Sequence, residues 1–354
     1  MAPRELEAAT PLTISTKSLT KALIQKTVAQ AAKDVSKIEY SSDGKRILTL
    51  SPQWDYTDID IPKYVRGRVQ LWNRDGKLLR TLDTKTEILK DTVFLRDNKT
   101  VVTVHPRRMR FWNVESGRLQ RIIPTQSGLV AFTPDRSLAA TARADYVPTK
   151  VSGVNNGLVR LQIFDMSKGT LKFQSHVVVP PDDAGISGDM PLGFLNHNRH
   201  IMALPLGNSS WMNWETNNAK YLSLKTNELW DKAVPQVVSH DGTIALSLDH
   251  QNVGPHFQPR ALTLRESMTW KPIMQIVVAD TVEDYKDVAA AVFSPDDKLL
   301  SAIVNGSLWF FDTSDWHVIK KQKLANTDAV LAFSPDGRTF VTGGEDKITQ
   351  WRTQ

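Results

Sequence analysis

The sequence predicts an all-β fold, a single β-propeller with seven blades of four antiparallel strands each. Three observations support this prediction. A short polar turn recurs seven times, an apolar or aromatic anchor follows each turn, and the last repeat lacks one strand that the beginning of the chain can supply. Radial repetition of small sheets leaves few exposed sheet edges, which favours a closed ring.

Each recurring turn follows an apolar residue and is built around Asp, Asn, Gly or Pro. These residues tolerate or preset turn dihedral angles, so a turn between two β-rich runs predicts a hairpin of antiparallel strands. The spacing averages about 49 residues, from (336 − 43)/6, which is typical of a repeat architecture. The turns occupy 40–44, 94–98, 132–136, 194–198, 238–242, 293–297 and 333–337.

Each turn is followed by a β-rich run and then by a strand that ends in a large anchor residue. A second turn and a further strand come next, which gives four strands per repeat. Six or eight blades remain alternatives, because the fourth and fifth repeats match the common repeat pattern least well. The anchors, with the residues after them, are Trp72-Asn73, Trp112-Asn113, Phe164-Asp165, Trp214-Glu215, Leu264-Arg265, Phe311-Asp312 and Trp351-Arg352.

The final repeat ends at its third strand, and the N-terminal region can supply the fourth. Leu23 precedes Ile38 by 15 residues (38 − 23), and Leu78, in a fourth strand, precedes Val93 by the same interval. We therefore expect a strand near 20–28 to close the ring by pairing the two ends of the chain. A helix over 19–33 is the competing interpretation, because Ala, Lys and Gln favour helix.

Two segments resemble the WD40 repeat most closely, the final repeat over 331–351 and the short run 69–73. The chain resembles a divergent WD40-repeat β-propeller over nearly its whole length. In that family a repeat often carries a network of Asp, His, Ser or Thr, and Trp that fixes its blade. We expect only the last repeat to supply most of this network, through Thr342, Asp346 and Trp351.

No composition shift or linker divides the 354 residues, so we expect one propeller domain over 12–354 after an N-terminal tail over 1–11. No apolar stretch approaches the ~18 residues that span a bilayer, and the beginning of the chain lacks the apolar core of a signal peptide. The cytoplasm is the default compartment. The absence of cysteine excludes disulfides and thiolate zinc sites, and it leaves an oxidising compartment open.

Most of the extra length falls on one face of the expected ring. Between second and third strands it occupies 51–67, 143–157 and 249–260, and between blades it occupies 176–190 and 279–287. The hairpins of the opposite face stay short. Long loops on one face of a rigid scaffold are where binding sites usually lie. The sequence therefore predicts a non-catalytic scaffold, monomeric on its own, that presents these loops to protein partners.

The insertions contain residues that anchor protein interfaces, because Tyr, Trp and Arg bury a large area while keeping a polar group available. Packing of each loop against itself is the alternative role. The candidate partner-binding residues are Trp54, Asp55, Tyr56, Asp58, Asp60, Tyr64, Arg66, Arg107, Arg108, Arg143, Asp145, Tyr146, Lys150, His256, Phe257 and Arg260.

Anion or nucleic-acid binding is one alternative function, and its best segment is the basic run 105–110. The net charge of +6 over the whole chain is a weak signal for such a partner. A calcium site at Asp55, Asp58 and Asp60 would need a closing Glu and a spacing that the segment lacks. We therefore predict no metal and no cofactor.

A propeller enzyme, either a hydrolase or a cofactor-dependent dehydrogenase with a composite loop-face site, is the other alternative. The run 239–243 departs from a sialidase-type turn, because its Gly directly follows Asp and no Trp comes next. The run 164–169 resembles the turn of quinone-cofactor propellers but lacks their Trp. No Gly-x-Ser-x-Gly elbow or phosphate loop is present, so we predict that the protein is not an enzyme.

Overall fold

The computed structural model is all-β, with seven antiparallel sheets arranged in a ring, which confirms the predicted fold class and blade number. No helix long and apolar enough to cross a membrane occurs in the described part of the chain. The structure describes residues 19, 23–31, 34–55, 63–82, 88–148, 155–179, 188–190, 192–203, 212–223, 235–253, 256–277, 288–324, 328–345 and 347–353. Only the backbone is described at 53–55, 63–66, 188, 223, 235–236, 248–253, 256–261, 276–277, 328 and 353.

The first three blades follow the chain order from the innermost strand outward. Blade one contains β2 (Lys37–Tyr40), β3 (Arg46–Asp55), β4 (Lys63–Asn73) and β5 (Leu78–Leu82). Blade two contains β6 (Asp91–Phe94), β7 (Thr100–His105), β8 (Arg108–Asn113) and β9 (Leu119–Pro124). Blade three contains β10 (Ala131–Phe132), β11 (Leu138–Pro148), β12 (Asn155–Asp165), β13 (Thr170–Val179) and the added β14 (Gly188–Met190).

The remaining blades repeat the same order. Blade four contains β15 (Leu192–Leu195), β16 (His200–Ala203), β17 (Met212–Glu215) and β18 (Tyr221–Ser223). Blade five contains β19 (Pro235–Val238), β20 (Ile244–Val253), β21 (His256–Glu266) and β22 (Pro272–Val277). Blade six contains β23 (Val288–Phe293), β24 (Leu299–Val304), β25 (Ser307–Asp312) and β26 (Val318–Lys323), and blade seven contains β27 (Asp328–Phe333), β28 (Thr339–Gly344), β29 (Lys347–Thr353) and β1 (Leu23–Gln30).

Both ends of the chain meet in blade seven, as the sequence predicted. Strand β1 pairs antiparallel with β29, from Leu23 opposite Thr353 to Gln30 opposite Lys347. The described strand covers 23–30, residues 20–22 lie outside the described residues, and the competing helix is wrong over 23–30. Lys320 Nζ of blade six donates a hydrogen bond of 3.2 Å to the carbonyl of the fully buried Leu19. This bond attaches Leu19, which precedes β1 in the chain, to blade six.

The hydrophobic core lies between the blades. Among the described residues there are seven clusters of buried apolar side chains, and each one spans a different pair of adjacent blades. The cluster that closes the ring packs Ile47 and Trp72 of blade one against Val341 and Ile348 of blade seven. Because every sheet is buried on both faces, no blade could stand alone, and the ring needs all its repeats.

Three inter-strand connections that the sequence indicated as loops are mostly strand. Strands β3 and β4 pair out to Asp55 opposite Lys63, β11 and β12 to Pro148 opposite Asn155, and β20 and β21 to Val253 opposite His256. The loop interpretation was wrong there because each strand supplies the backbone partners that its neighbour needs. The hairpin tips at 56–62, 149–154 and 254–255 lie outside the described residues, as does the expected insertion 279–287.

The aromatic anchors end the third strand of their blades, and three of them bond to the second strand. The indole N–H of Trp72 donates to Thr49 Oγ1 at 3.1 Å, and that of Trp351 donates to Thr342 Oγ1 at 2.9 Å. In blade two Trp112 donates to Thr103 Oγ1 at 2.9 Å. The expectation that only the last repeat carries this network was therefore too narrow. Asp346, its expected acidic member, lies outside the described residues.

In blade five the anchor position belongs to Arg265, and the sequence assignment to Leu264 was wrong by one residue. Arg265 lies opposite Ala245 on the second strand. Its Nε donates to Ser247 Oγ at 2.9 Å, and its Nη1 donates to the Trp270 carbonyl at 3.2 Å. A guanidinium thus replaces the indole as the hydrogen-bond donor. The local sequence pattern could not reveal this replacement, because both Arg and Leu can continue a β-rich run.

Blades three and four each contain only one of the two groups, the second-strand hydroxyl and the third-strand indole, that are bonded in other blades. Thr141 occupies the hydroxyl position of blade three, but the anchor there is Phe164, which has no donor. Trp214 anchors blade four, but Ala203 occupies its hydroxyl position. Thr141 Oγ1 and Trp214 Nε1 are consequently buried without a hydrogen-bond partner among the described residues.

Candidate functional site

The two faces of the ring differ in their connections. One face, called here the loop face, carries the connections between second and third strands and those between blades. The opposite face, called the turn face, carries the two short hairpins of each of blades one to six and the single hairpin between β27 and β28 of blade seven. The extended hairpins of blades one, three and five all rise from the loop face, so the rigid protrusions of the described chain share one side.

The predicted partner-binding residues belong to these protrusions and to the hairpin of blade two. Side chains are described for Arg107, Arg108, Arg143, Asp145 and Tyr146. The backbone alone places Trp54 and Asp55 on β3, Tyr64 and Arg66 on β4, and His256, Phe257 and Arg260 on β21. Tyr56, Asp58, Asp60 and Lys150 lie outside the described residues.

Blade three carries an ion-pair network at the base of its hairpin. Arg143 Nε donates to Asp145 Oδ1 at 3.0 Å, and its Nη1 donates to Asp189 Oδ1 at 3.2 Å. Arg160 Nη1 pairs with the second oxygen of Asp145. The structure therefore pairs Arg143 and Asp145, two of the candidate partner-binding residues, with each other and with neighbouring side chains of the protein.

Arg160 and Asp189, the other two members of this network, were not among the residues predicted from the sequence. Strand alternation could have found Arg160, which lies directly opposite Arg143 on β12. Asp189 could not be found in this way, because β14 returns from the insertion 176–190 to pair with β11. Its Oδ2 also accepts a hydrogen bond of 3.0 Å from the amide of Gly128, which lies in the connection from blade two to blade three, so Asp189 holds this connection to β14 at the loop face.

Tyr146 continues the blade-three hairpin above this network. It lies opposite Gly157, and half of its surface is exposed (50%). An exposed tyrosine on a paired strand is fixed in position by the sheet, which lowers the entropy lost when a partner binds. The placement of Tyr146 is compatible with the predicted contact role.

The basic segment 105–110 of blade two is only partly exposed. His105 is fully buried and Arg110 is 8% exposed, whereas Arg107 and Arg108 are exposed at the hairpin tip. His105 Nδ1 donates to the Ile88 carbonyl at 3.0 Å, so Nε2 is the nitrogen that accepts from Thr103 Oγ1 at 3.0 Å. His105 is thus a structural residue, and the surface of this segment consists of two arginines.

These arginines form part of a compact surface called here the blade-two patch. Three chain segments meet in it, namely the end of the connection from blade one, the hairpin tip, and the connection to blade three. Its exposed side chains are Ile88, Lys90, Arg107, Arg108 and Leu129. A Cβ on Gly128 would lie 2.9 Å from Pro106 Cα and 3.4 Å from Lys90 Cγ, which shows how closely the segments approach.

Charged side chains also pair along the innermost strands. Lys37 Nζ lies 2.6 Å from Asp91 Oδ1 and 4.0 Å from Glu39 Oε2. Arg136 of blade three lies 3.4 Å from the same Glu39 oxygen, and Glu39 Oε1 accepts from the Phe94 amide at 3.2 Å. This chain of ion pairs connects blades one, two and three at the centre of the ring.

The turn face uses its carboxylates internally. In blades one, five and seven a serine hydroxyl donates at 2.6 Å to the aspartate two residues later, as in Ser41 to Asp43. Partial burial acts to raise the pKa of Asp43, but the bonds from Ser41 and the Lys45 amide outweigh it and lower that pKa below its ordinary value. Carboxylates committed in this way stabilise turns and are poorly suited to hold a ligand.

No cluster of three or more His, Asp or Glu side chains suited to a metal ion occurs among the described residues. Asp189 accepts hydrogen bonds from Arg143 and from the Gly128 amide. Asp58, Asp60, Asp182 and Asp183 lie outside the described residues. The prediction of no metal stays a prediction for those segments.

Comparison with known families matches residues 322–351 to the WD domain, G-beta repeat. The matched stretch covers the end of β26 and nearly all of the last blade that β27, β28 and β29 form. No curated protein matches the chain. The matched repeat and the seven-bladed ring together support a WD40-repeat β-propeller, a fold that is typical of protein-interaction scaffolds.

Proposed function

We propose that this WD40-repeat β-propeller is a non-catalytic scaffold that binds protein partners through its loop face. The observation that carries the proposal is the asymmetry between the two faces. Paired hairpins extend from blades one, three and five on the loop face, while the turns opposite are short and hold their own carboxylates. Sites on rigid elements bind with less loss of conformational entropy than sites on mobile loops.

The candidate residues favour protein as the ligand. Trp54, Tyr146 and Phe257 belong to three different hairpins, and aromatic side chains are the preferred anchors at protein interfaces. At the base of the blade-three hairpin, positively charged side chains are paired with negatively charged ones. Paired charges suit a mixed protein surface better than the uniformly negative surface of a nucleic acid.

Affinity capture from a native lysate with quantitative mass spectrometry tests the proposal. The wild type is compared with a loop-face variant that combines Trp54→Ala, Tyr146→Ala and Phe257→Ala. The matched control combines Leu119→Ala, Ile273→Ala and Val318→Ala, three exposed apolar residues of the outer strands. We expect a protein that the wild type and the control capture equally and that the loop-face variant loses while its thermal unfolding stays cooperative.

Two outcomes would contradict the proposal. Equal capture by all three proteins would remove the loop face from the interaction. Turnover of a substrate pool by the wild type, abolished in the loop-face variant, would support the propeller-enzyme alternative instead.

A further inference from the structure

We propose that the outer strand of blade three, β13, binds a second copy of this chain, and that two β13 strands pair antiparallel to form a dimer. The proposal concerns the outer wall of the ring, so it goes beyond the proposed function of the loop face and does not depend on it. A monomer, which the sequence alone predicted, is the alternative that solution measurements distinguish.

Strand β13 is the longest outer strand in the described part of the chain. It contains ten residues, whereas the outer strands of the other blades contain between three and eight. Its regular part, 173–179, pairs in unbroken register with 157–163 of β12 and reaches the protruding part of the blade-three hairpin. A further strand can therefore pair with this edge over a longer regular run than the other described outer strands offer.

The outer side of β13 has no partner strand among the described residues. The strand is the last of its sheet and pairs only with β12. The described chain resumes at β14, which pairs with β11 on the far side of the hairpin, so it leads away from the outer edge. Half of the amides and carbonyls of an edge strand point away from the sheet, and a further strand can bond to them.

The sequence of this edge lacks the residues that usually prevent strand edges from pairing. Natural edge strands carry charged side chains or proline, or they are very short. Residues 173–179 contain no Asp, Glu, Lys, Arg or Pro, and the charged Lys172 lies at the register shift before them. By contrast, β26 carries three lysines among its six residues, and β9 ends in proline. The edge of β13 is thus open where these two edges are blocked.

A second copy of the same strand is complementary to this edge. On the side that faces blade four, Phe173, Val177 and Val179 pack against the core cluster. On the opposite side Val178 is 57% exposed, the highest value among the exposed large apolar side chains that the structure describes. A two-fold axis perpendicular to the sheet places residues of the same side opposite one another in every register. Apolar residues therefore meet apolar ones, and no register within 173–179 brings two fixed charges together.

Pairing of two such edges ends at a dimer. Each chain offers one β13, and the two-fold axis uses both edges at once, so the contact is isologous and closed. The same axis reverses the strand direction, so the two loop faces point to opposite sides of the pair. A dimer of this kind presents two copies of the proposed partner-binding surface.

Sedimentation velocity over a concentration series of the full chain tests the proposal. We expect monomer to convert to dimer as the concentration rises from about 1 µM to about 100 µM, the range of a small and reversible interface. The variant Gln174→Lys/Val178→Lys places lysines at two exposed positions of the edge. It should raise the dissociation constant at least about tenfold, because like charges then face one another across the pair.

The matched control is Ile122→Lys/Ile273→Lys, which makes the same change in net charge at exposed positions of two other outer strands. It should dimerise as the wild type does. The melting temperature of both variants should stay within a few degrees of the wild-type value, so that a lost dimer reports the contact and not misfolding.

Disulfide trapping locates the contact independently, because the chain contains no cysteine. Single cysteines are placed in turn at each position from 174 to 178. The residue on the two-fold axis lies directly opposite its own copy, at a distance that a disulfide can bridge. We expect one of these positions to dominate the yield of covalent dimer under mild oxidation, and Ile122→Cys to give none.

Three results would each overturn the proposal. The first is a wild type that stays monomeric at the highest concentration. The second is a folded Gln174→Lys/Val178→Lys variant that dimerises as readily as its control. The third is the absence of covalent dimer at every cysteine position of the edge, and this result decides alone if the lysine variant does not fold.

Discussion

A hydroxyl partner for the Trp214 indole should stabilise blade four. Three other blades pair the corresponding indole with a threonine at 2.9 to 3.1 Å, and Ala203 occupies the threonine position in blade four. Ala203→Thr is therefore expected to create the missing bond to Trp214 Nε1, which lacks a partner among the described residues. Ala203→Val is its isosteric reference, because valine has the same shape and no hydroxyl.

The expected effect is small but measurable. A hydrogen bond contributes about 0.5–1.5 kcal/mol net, and a buried donor without a partner costs about 1–3 kcal/mol. The threonine variant should therefore exceed the valine variant by about 1 kcal/mol in unfolding free energy. At about 2.1 cal/mol/K per residue, the unfolding entropy of 354 residues is about 0.74 kcal/mol/K, so the melting temperatures should differ by about 1.3 °C.

Differential scanning calorimetry on both variants provides the assay, with two references. Thr342→Val removes the existing partner of Trp351 and should lower the melting temperature by a similar amount. At Ala142, buried opposite Leu161, threonine should melt no higher than valine, because no indole is paired with that position. The reasoning is refuted if Ala203→Thr melts no higher than Ala203→Val while Thr342→Val still destabilises blade seven.

Glu39→Gln should lower the free energy of unfolding by about 1 kcal/mol, because it removes the negative charge that Lys37 and a neighbouring arginine share; a urea midpoint equal to that of the wild type would contradict this. Asp336→Asn should flatten the loss of stability below about pH 4. Partial burial acts to raise the pKa of Asp336, but hydrogen bonds from the Ser334 hydroxyl and a backbone amide outweigh it and lower that pKa. The ionised carboxylate therefore stabilises the wild type at pH values above the ordinary pKa, and this stabilisation is lost as the pH falls through the lowered pKa of the folded protein. Urea midpoints from pH 7 to pH 3 check this, and parallel curves would disprove it. Replacement of 53–66 by Asn-Gly should leave thermal unfolding cooperative and weaken partner capture, because pairing up to Pro52 opposite Gly67 is kept; loss of the cooperative transition would make this hairpin structural.

The ring could be predicted from the sequence because its repeats carry local signals. The turn residues recur seven times, at intervals between 38 (135 − 97) and 62 (197 − 135) residues, and each turn lies where a hairpin must reverse the chain. Ring closure was predictable from a spacing, because Leu23 precedes Ile38 by the same number of residues that separates an outer strand from the first strand of the next blade. These features depend on neighbours in the chain, which the sequence displays directly.

Features that depend on distant contacts could not be predicted in the same way. Arg265 replaces a tryptophan only because Ser247 and Trp270 surround it in space. Strand β14 joins blade three through Asp189 and Arg143, which are 46 residues apart. The candidate site shows the same limit: the arginines of the blade-two patch were identified, but its apolar part belongs to two connections that only the fold brings together.

Photo-crosslinking from the loop face tests the central claim most directly. A benzophenone amino acid is placed at Tyr146, at Leu119 on the outer wall, or at Asn217 in a short turn, and each protein is irradiated in native lysate. The account predicts a discrete protein adduct from position 146 that the other two positions do not give. The same adduct from position 119 or 217, with none from 146, would contradict the claim that the loop face is the docking surface.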